Sequence, residues 1–155
     1  MIDGGQPPST MERIGSYKIV AEIGRGGMGI VCRAVDPQIG RQVAVKVIRL
    51  SDVSETEEQE QLRARLFREA RAAGILKHSG IVTIYYVGEE LGVAFIAMEY
   101  VGGPTLEKLL LADVPLAKER IGRILRETAA ALDYAHAKGI VHRYASGEAI
   151  FQILN

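Results

Sequence analysis

Gly24-Arg25-Gly26-Gly27-Met28-Gly29-Ile30-Val31 places four glycines and a valine at the spacing G-x-G-x-x-G-x-V. Glycines without side chains let backbone N–H groups approach an anion closely, so this run suits phosphate oxygens. A hairpin with no ligand would look the same. Context narrows the chemistry, because VCRAV follows the glycines as another strand-like run, whereas a dinucleotide fingerprint needs a helix there. The Walker ending Gly-Lys-Ser/Thr is absent. Lys46 comes 15 residues after Val31, inside the apolar run Val43-Ala44-Val45-Lys46. Strand alternation puts Ala44, Lys46 and Ile48 on one face, and an ammonium among apolar neighbours calls for an anionic partner. Glu69 fits that need. It follows Leu62 by seven residues and precedes Ala73 by four, the spacing of a helix's apolar stripe. Arg68 and Arg71 offer it a surface pairing instead.

The elements that position these groups follow from periodicity. YKIVAEIG, IVCRAVD and RQVAVKVIRL are short β-branched runs separated by a glycine cluster and by the turn signal DPQIG, which predicts an antiparallel meander. Residues 54–76 carry acids first (Glu55, Glu57, Glu58, Glu60) and arginines later (Arg63, Arg65, Arg68, Arg71), as the helix dipole prefers. Ser54 and Glu57 form a capping-box pattern, and Leu62, Leu66, Ala70 and Ala73 recur at helical spacing. IVTIYYVGEE and GVAFIAMEYV then read as two more strands. Beyond Gly102-Gly103-Pro104 the chain turns helical: a short helix capped by Thr105, then a longer one opened by Pro115 and closed by Gly139. The apolar face of the longer helix is Ile121, Ile124, Leu125, Thr128, Ala129, Leu132 and Ala135. The expected fold class is α+β: five antiparallel strands and one long helix, followed by two helices.

Composition excludes several functions. The 155 residues hold 19 basic and 19 acidic side chains, so no net field draws the chain to nucleic acid or anionic lipid. A single cysteine, Cys32, allows no disulfide framework and no cysteine-based zinc site, and His78, His136 and His142 show no ligand spacing. No apolar stretch reaches the roughly 18 residues of a membrane span, and no signal-peptide pattern opens the chain. These features lead us to expect a cytoplasmic protein.

In this order and spacing, the glycine loop, Val43-Ala44-Val45-Lys46, Phe67-Arg68-Glu69-Ala70, Ile81-Val82-Thr83-Ile84-Tyr85, Met98-Glu99-Tyr100-Val101 and Gly139-Ile140-Val141-His142-Arg143 resemble the protein kinases. The likeness is to bacterial serine/threonine kinases of the eukaryotic type. It runs from Tyr17 to Arg143 and implies a kinase N-lobe over 17–101, partial C-lobe helices over 102–143, a flexible leader over 1–16 and a tail over 144–155 outside the family pattern. It also implies an ATP site. Ile23, Gly24, Arg25, Gly26, Gly27, Met28, Gly29, Ile30 and Val31 would cover the phosphates, and Lys46 would hold the α- and β-phosphates and pair with Glu69. Val31 and Ala44 would cover the adenine, with Met98 behind it. The Glu99 carbonyl and the Val101 amide would bond its edge.

The pattern then departs from the family. Where H-R-D-x-x-x-x-N is expected, the chain has His142-Arg143-Tyr144, and Ala149 stands at the asparagine position. A phenol replaces the carboxylate that accepts the substrate proton, and the expected magnesium ligands are missing. The sequence reads as an incomplete kinase copy, from a frame slip, a rearranged gene or a truncated product. A pseudokinase-like nucleotide- or partner-binding module, or a non-functional truncated gene product, is the alternative. The apolar face of residues 117–138, left without the family's later helices, is expected to promote self-association.

Overall fold

The computed structural model describes residues 11–26, 29–49, 56–112 and 115–141. These divide into two compact units: one of the sheet strands and the long helix, and one of residues 75–83 with the later helices.

In the first unit, β1 (Arg13–Ile14), β2 (Tyr17–Gly26), β3 (Gly29–Asp36), β4 (Arg41–Arg49), β5 (Ile84–Glu90) and β6 (Val93–Glu99) form one antiparallel sheet. Its order is β1-β2-β3-β4-β6-β5. The five expected strands are present, and β1 is a sixth. It lies in the stretch expected to be a flexible leader, yet Ile14 is buried and Arg13 and Ile14 pair with Lys18 and Tyr17. β4 explains the core. Val43, Val45 and Val47 alternate inward and are essentially inaccessible, where they meet Cys32, Ala34, Phe95 and Ala97. Burying each valine contributes roughly 1.5 kcal/mol or more. The opposite face of β4 is apolar too, with Ala44 and Ile48 buried on either side of Lys46, which is why the run shows no polar alternation.

α1 (Thr56–Gly74) is the expected long helix. Ser54, its expected cap, lies outside the described residues. Ala70 and Ala73 are its buried positions, and Arg63 Nε reaches Glu89 Oε2 of β5 at 2.7 Å. Nearby, the Arg41 guanidinium stacks 3.6 Å from the Tyr85 ring centroid. Cys32 is 1% exposed, and burial pushes its thiol above the ordinary range, so it is a core residue rather than a nucleophile.

In the second unit, α2 (Leu106–Leu110) begins as expected, with the Lys108 N–H donating to Thr105 Oγ1 at 3.2 Å. α3 (Lys118–Ala137) starts three residues beyond Pro115, with Ala117 as its N-cap. It ends where Gly139 adopts φ +75°. Its buried positions are Ala131 and Ala135, which pack on Leu76 and Ile81. Ile121 and Leu125, on the apolar face expected to lack a cover, are 42% and 65% exposed. Residues 75–83, expected within the 17–101 lobe, therefore belong with α3. Gly80 sits so close that a Cβ there would lie 3.3 Å from the Ala131 Cβ, and its N–H donates to His78 Nδ1 at 3.0 Å. His78 in turn stacks on Tyr134 with ring centroids 5.3 Å apart.

Candidate functional site

One rung of the sheet gathers the expected groups. Gly24 pairs with Val31, Val31 with Lys46, and Lys46 with Ile96. Residues directly opposite in an antiparallel ladder share a face, so the glycine hairpin, Val31 and Lys46 lie on the face away from the valine core. The next rung on that face joins Arg33, Ala44 and Met98. Lys46 and Met98 are half-buried and Ala44 is buried, as a surface meant to be covered requires.

The hairpin is built for close approach at its exit. Gly29 has φ +136°, and a Cβ there would stand 2.0 Å from the Val47 carbonyl oxygen. Two register shifts, at Ile19/Ala21 and Glu22/Gly24, re-aim β2 before the glycines. Gly27 and Met28, at the tip, lie outside the described residues, as do His142, Arg143, Tyr144 and Ala149.

Three expected site residues are placed differently. Ile30 pairs with Val47 and turns into the core, so at the hairpin exit Val31 alone brings a side chain to the Lys46 face. Arg25 pairs with Ile30 across the ladder, and its guanidinium grips Glu22 in a two-point contact, Nε–Oε1 at 2.9 Å and Nη2–Oε2 at 2.7 Å. Hydrogen bonding to Glu22 holds Arg25 more firmly in its charged form than usual. Because Glu22 pairs with core-facing Cys32, this clasp lies on the core side of the hairpin. Glu69 is the third. The helix turns Ala70 inward and leaves the Glu69 side chain 53% exposed, its Oε1 accepting from Arg65 Nε at 2.9 Å. One step of about 100° separates it from the buried line. An exposed i,i+4 pair contributes only about 0.3–0.5 kcal/mol, so it restrains Glu69 weakly. Of the remaining positions, Ile23 is exposed beside the second register shift, Glu99 ends β6, and Val101 follows two residues later, the last two half-buried.

Sequence comparison matches residues 17–145 to the protein kinase domain. The chain belongs to the protein kinase family. A probable serine/threonine-protein kinase of Clostridium acetobutylicum is 42% identical over 127 residues, covering 82% of this chain and 19% of its own length. The serine/threonine-protein kinase PrkC of Bacillus subtilis is 39% identical over 129 residues, covering 83% of this chain and 19% of its own. The solved kinase domain of Mycobacterium tuberculosis PknI superimposes with a TM-score of 0.71 at 29% identity, covering 92% of this chain and 59% of that one. This kinase chain thus spans about a fifth of the curated relatives and under two-thirds of that solved domain. Its sheet and α1 form a kinase N-lobe-like fold. Among the described residues no helix is long and apolar enough to cross a membrane.

Arg33 escaped sequence reasoning. A lone arginine on an alternating strand reads as solvated, and only the register shows it beside Ala44. The aromatic and glycine contacts of His78, Gly80 and Tyr134 escaped as well, because they join segments more than 50 residues apart.

Proposed function

We propose that this chain is the ATP-binding portion of a serine/threonine protein kinase domain, holding nucleotide without transferring phosphate by itself. The observation that carries this reading is the Gly24–Val31–Lys46–Ile96 rung, which puts an ammonium in an apolar setting on the same face as a glycine hairpin. Backbone N–H groups of the hairpin and the Lys46 ammonium supply the donors that a triphosphate needs. Val31 and Ala44 supply a flat apolar surface for adenine, with Met98 beside Ala44, and the Glu99 backbone meets the adenine edge. Glu69 becomes the partner of Lys46 once it leaves its weak pair with Arg65.

Transfer needs more. A carboxylate accepts the substrate hydroxyl proton in this family, and Tyr144 puts a phenol in its place in the sequence. Magnesium would screen the phosphates and draw charge from the breaking bond. Among the described residues no three His, Cys, Asp or Glu side chains come together as ligands, and the family's asparagine position is Ala149. The family's asparagine ligand is therefore missing from its expected position.

Thermal unfolding of the full chain with ATP tests the reading. Nucleotide at about a hundred times its dissociation constant should add roughly 2.7 kcal/mol of stability. The midpoint should rise equally with magnesium or with chelator. Absence of any rise overturns ATP binding, and Lys46-dependent transfer of labelled phosphate to a generic protein substrate overturns the claim of binding alone.

The exposed Ile121 and Leu125 of α3 support a second expectation, that the chain self-associates. Light scattering at tens of micromolar (roughly) should report a species larger than a monomer, and Leu125→Lys should shrink it. A monomer throughout that range counts against this surface.

A further inference from the structure

β3 alternates strictly in this region. Cys32 and Ala34 enter the core, while Val31 and Arg33 take the opposite face. Arg33 stands opposite Ala44, one same-face rung from the Val31–Lys46 pair. Two residues of strand separate these rungs by about 7 Å, so Arg33 belongs beside the base rather than the phosphates of a nucleotide lying along this face. Its side chain is half-buried, and its Nε is buried with no hydrogen-bond partner among the described residues. A guanidinium never deprotonates in a protein, so this donor cannot be silenced by losing its charge. A buried donor without an acceptor destabilises the fold, and an apolar residue would cover Ala44 without that penalty. The sheet thus holds, on its Lys46 face, a planar cation whose Nε has no acceptor among the described residues.

We propose that Arg33 is a base-contacting residue of this site, its guanidinium stacking on the purine of bound ATP. The proposal rests on the ATP reading above. A purine fits because its π-face attracts a weakly hydrated planar cation and offers it an electron-rich partner. The flexible three-methylene stem of the side chain lets the guanidinium leave its folded position as the base arrives.

Calorimetric titration of the full chain with ATP and with inorganic tripolyphosphate tests this. Arg33→Met keeps an apolar stem and removes the guanidinium. It should weaken ATP about fivefold, within the range of a cation–π contact, and leave tripolyphosphate binding unchanged. The ligand-free unfolding midpoint should stay level or rise, since a donor without an acceptor has been removed; a merely structural arginine would lower it. Unchanged ATP affinity in Arg33→Met, beside a wild type that binds ATP, overturns the proposal while sparing the ATP reading. Equal losses for ATP and tripolyphosphate overturn it too, as a phosphate contact or general damage. If the methionine variant does not fold, Arg33→Lys keeps the charge without the plane, and wild-type ATP affinity there overturns the stacking. A wild type that binds tripolyphosphate but not ATP overturns both readings together.

Discussion

Gly29→Ala is expected to destabilise the sheet by about 3 kcal/mol or more, a large share of the 5–15 kcal/mol that holds a typical domain. Two costs coincide. At φ +136° an L side chain is strained by about 1–3 kcal/mol. The new Cβ would also fall 2.0 Å from the Val47 carbonyl oxygen, a backbone atom that cannot rotate aside. Relief requires β3 and β4 to separate where Ile30 pairs with Val47, and both side chains belong to the core. Gly24→Ala is the matched control. Its φ is not positive, and a Cβ there would meet only the Val31 Cβ at 3.9 Å, an ordinary contact. Urea unfolding of the two variants should therefore separate them clearly. A Gly29→Ala midpoint within the error of wild type would mean that the close approach does not exist in solution. Loss of ATP affinity in a stable Gly24→Ala protein would show that the hairpin backbone itself meets the ligand.

The contrast between these glycines marks how far the sequence could be read. Spacing alone made both look like phosphate-loop residues, and only the built backbone separates one that the fold requires from one that it tolerates. The strands were legible where β-branched residues cluster, as in Val43–Val47, and so was the shared face of Ala44 and Lys46, because alternation is a property of the extended chain itself. The Thr105 cap and the Gly139 stop were legible for the same local reason. What failed was small, silent or distant. β1 is two residues whose pairing is set by Tyr17 and Lys18 rather than by any pattern of their own. Ile81 and Val82 read as strand, yet both are buried outside any strand, Ile81 against α3, an outcome decided by Ala131 and Ala135 some 50 residues away. Ala131 carries little hydropathy, so no sequence pattern marks it as the buried partner of Ala135 on α3. Alanine's quietness likewise put Glu69 on the inner line of α1, where Ala70 sits instead.

Lys46→Ala should produce the largest functional loss. Lys46 lies between Ala44 and Ile48 along β4 and between Val31 and Ile96 across the sheet, so its half-buried side chain rises from an apolar floor. Charge-assisted hydrogen bonds in such a setting contribute about 1.5–3 kcal/mol, which corresponds to roughly ten- to hundredfold in affinity. ATP and tripolyphosphate should weaken together, because the missing group meets phosphate in both. Adenosine should bind as it does to wild type. This pattern is the reverse of the one expected for Arg33→Met, and the two variants lie one rung apart on the same sheet face. A chain in which both substitutions weakened every ligand alike would have lost its fold rather than its contacts, and Lys46→Met, which keeps the stem against Ile96, separates that case. ATP affinity unchanged in a folded Lys46→Ala protein would remove the phosphate role from this face, whatever the glycine hairpin does.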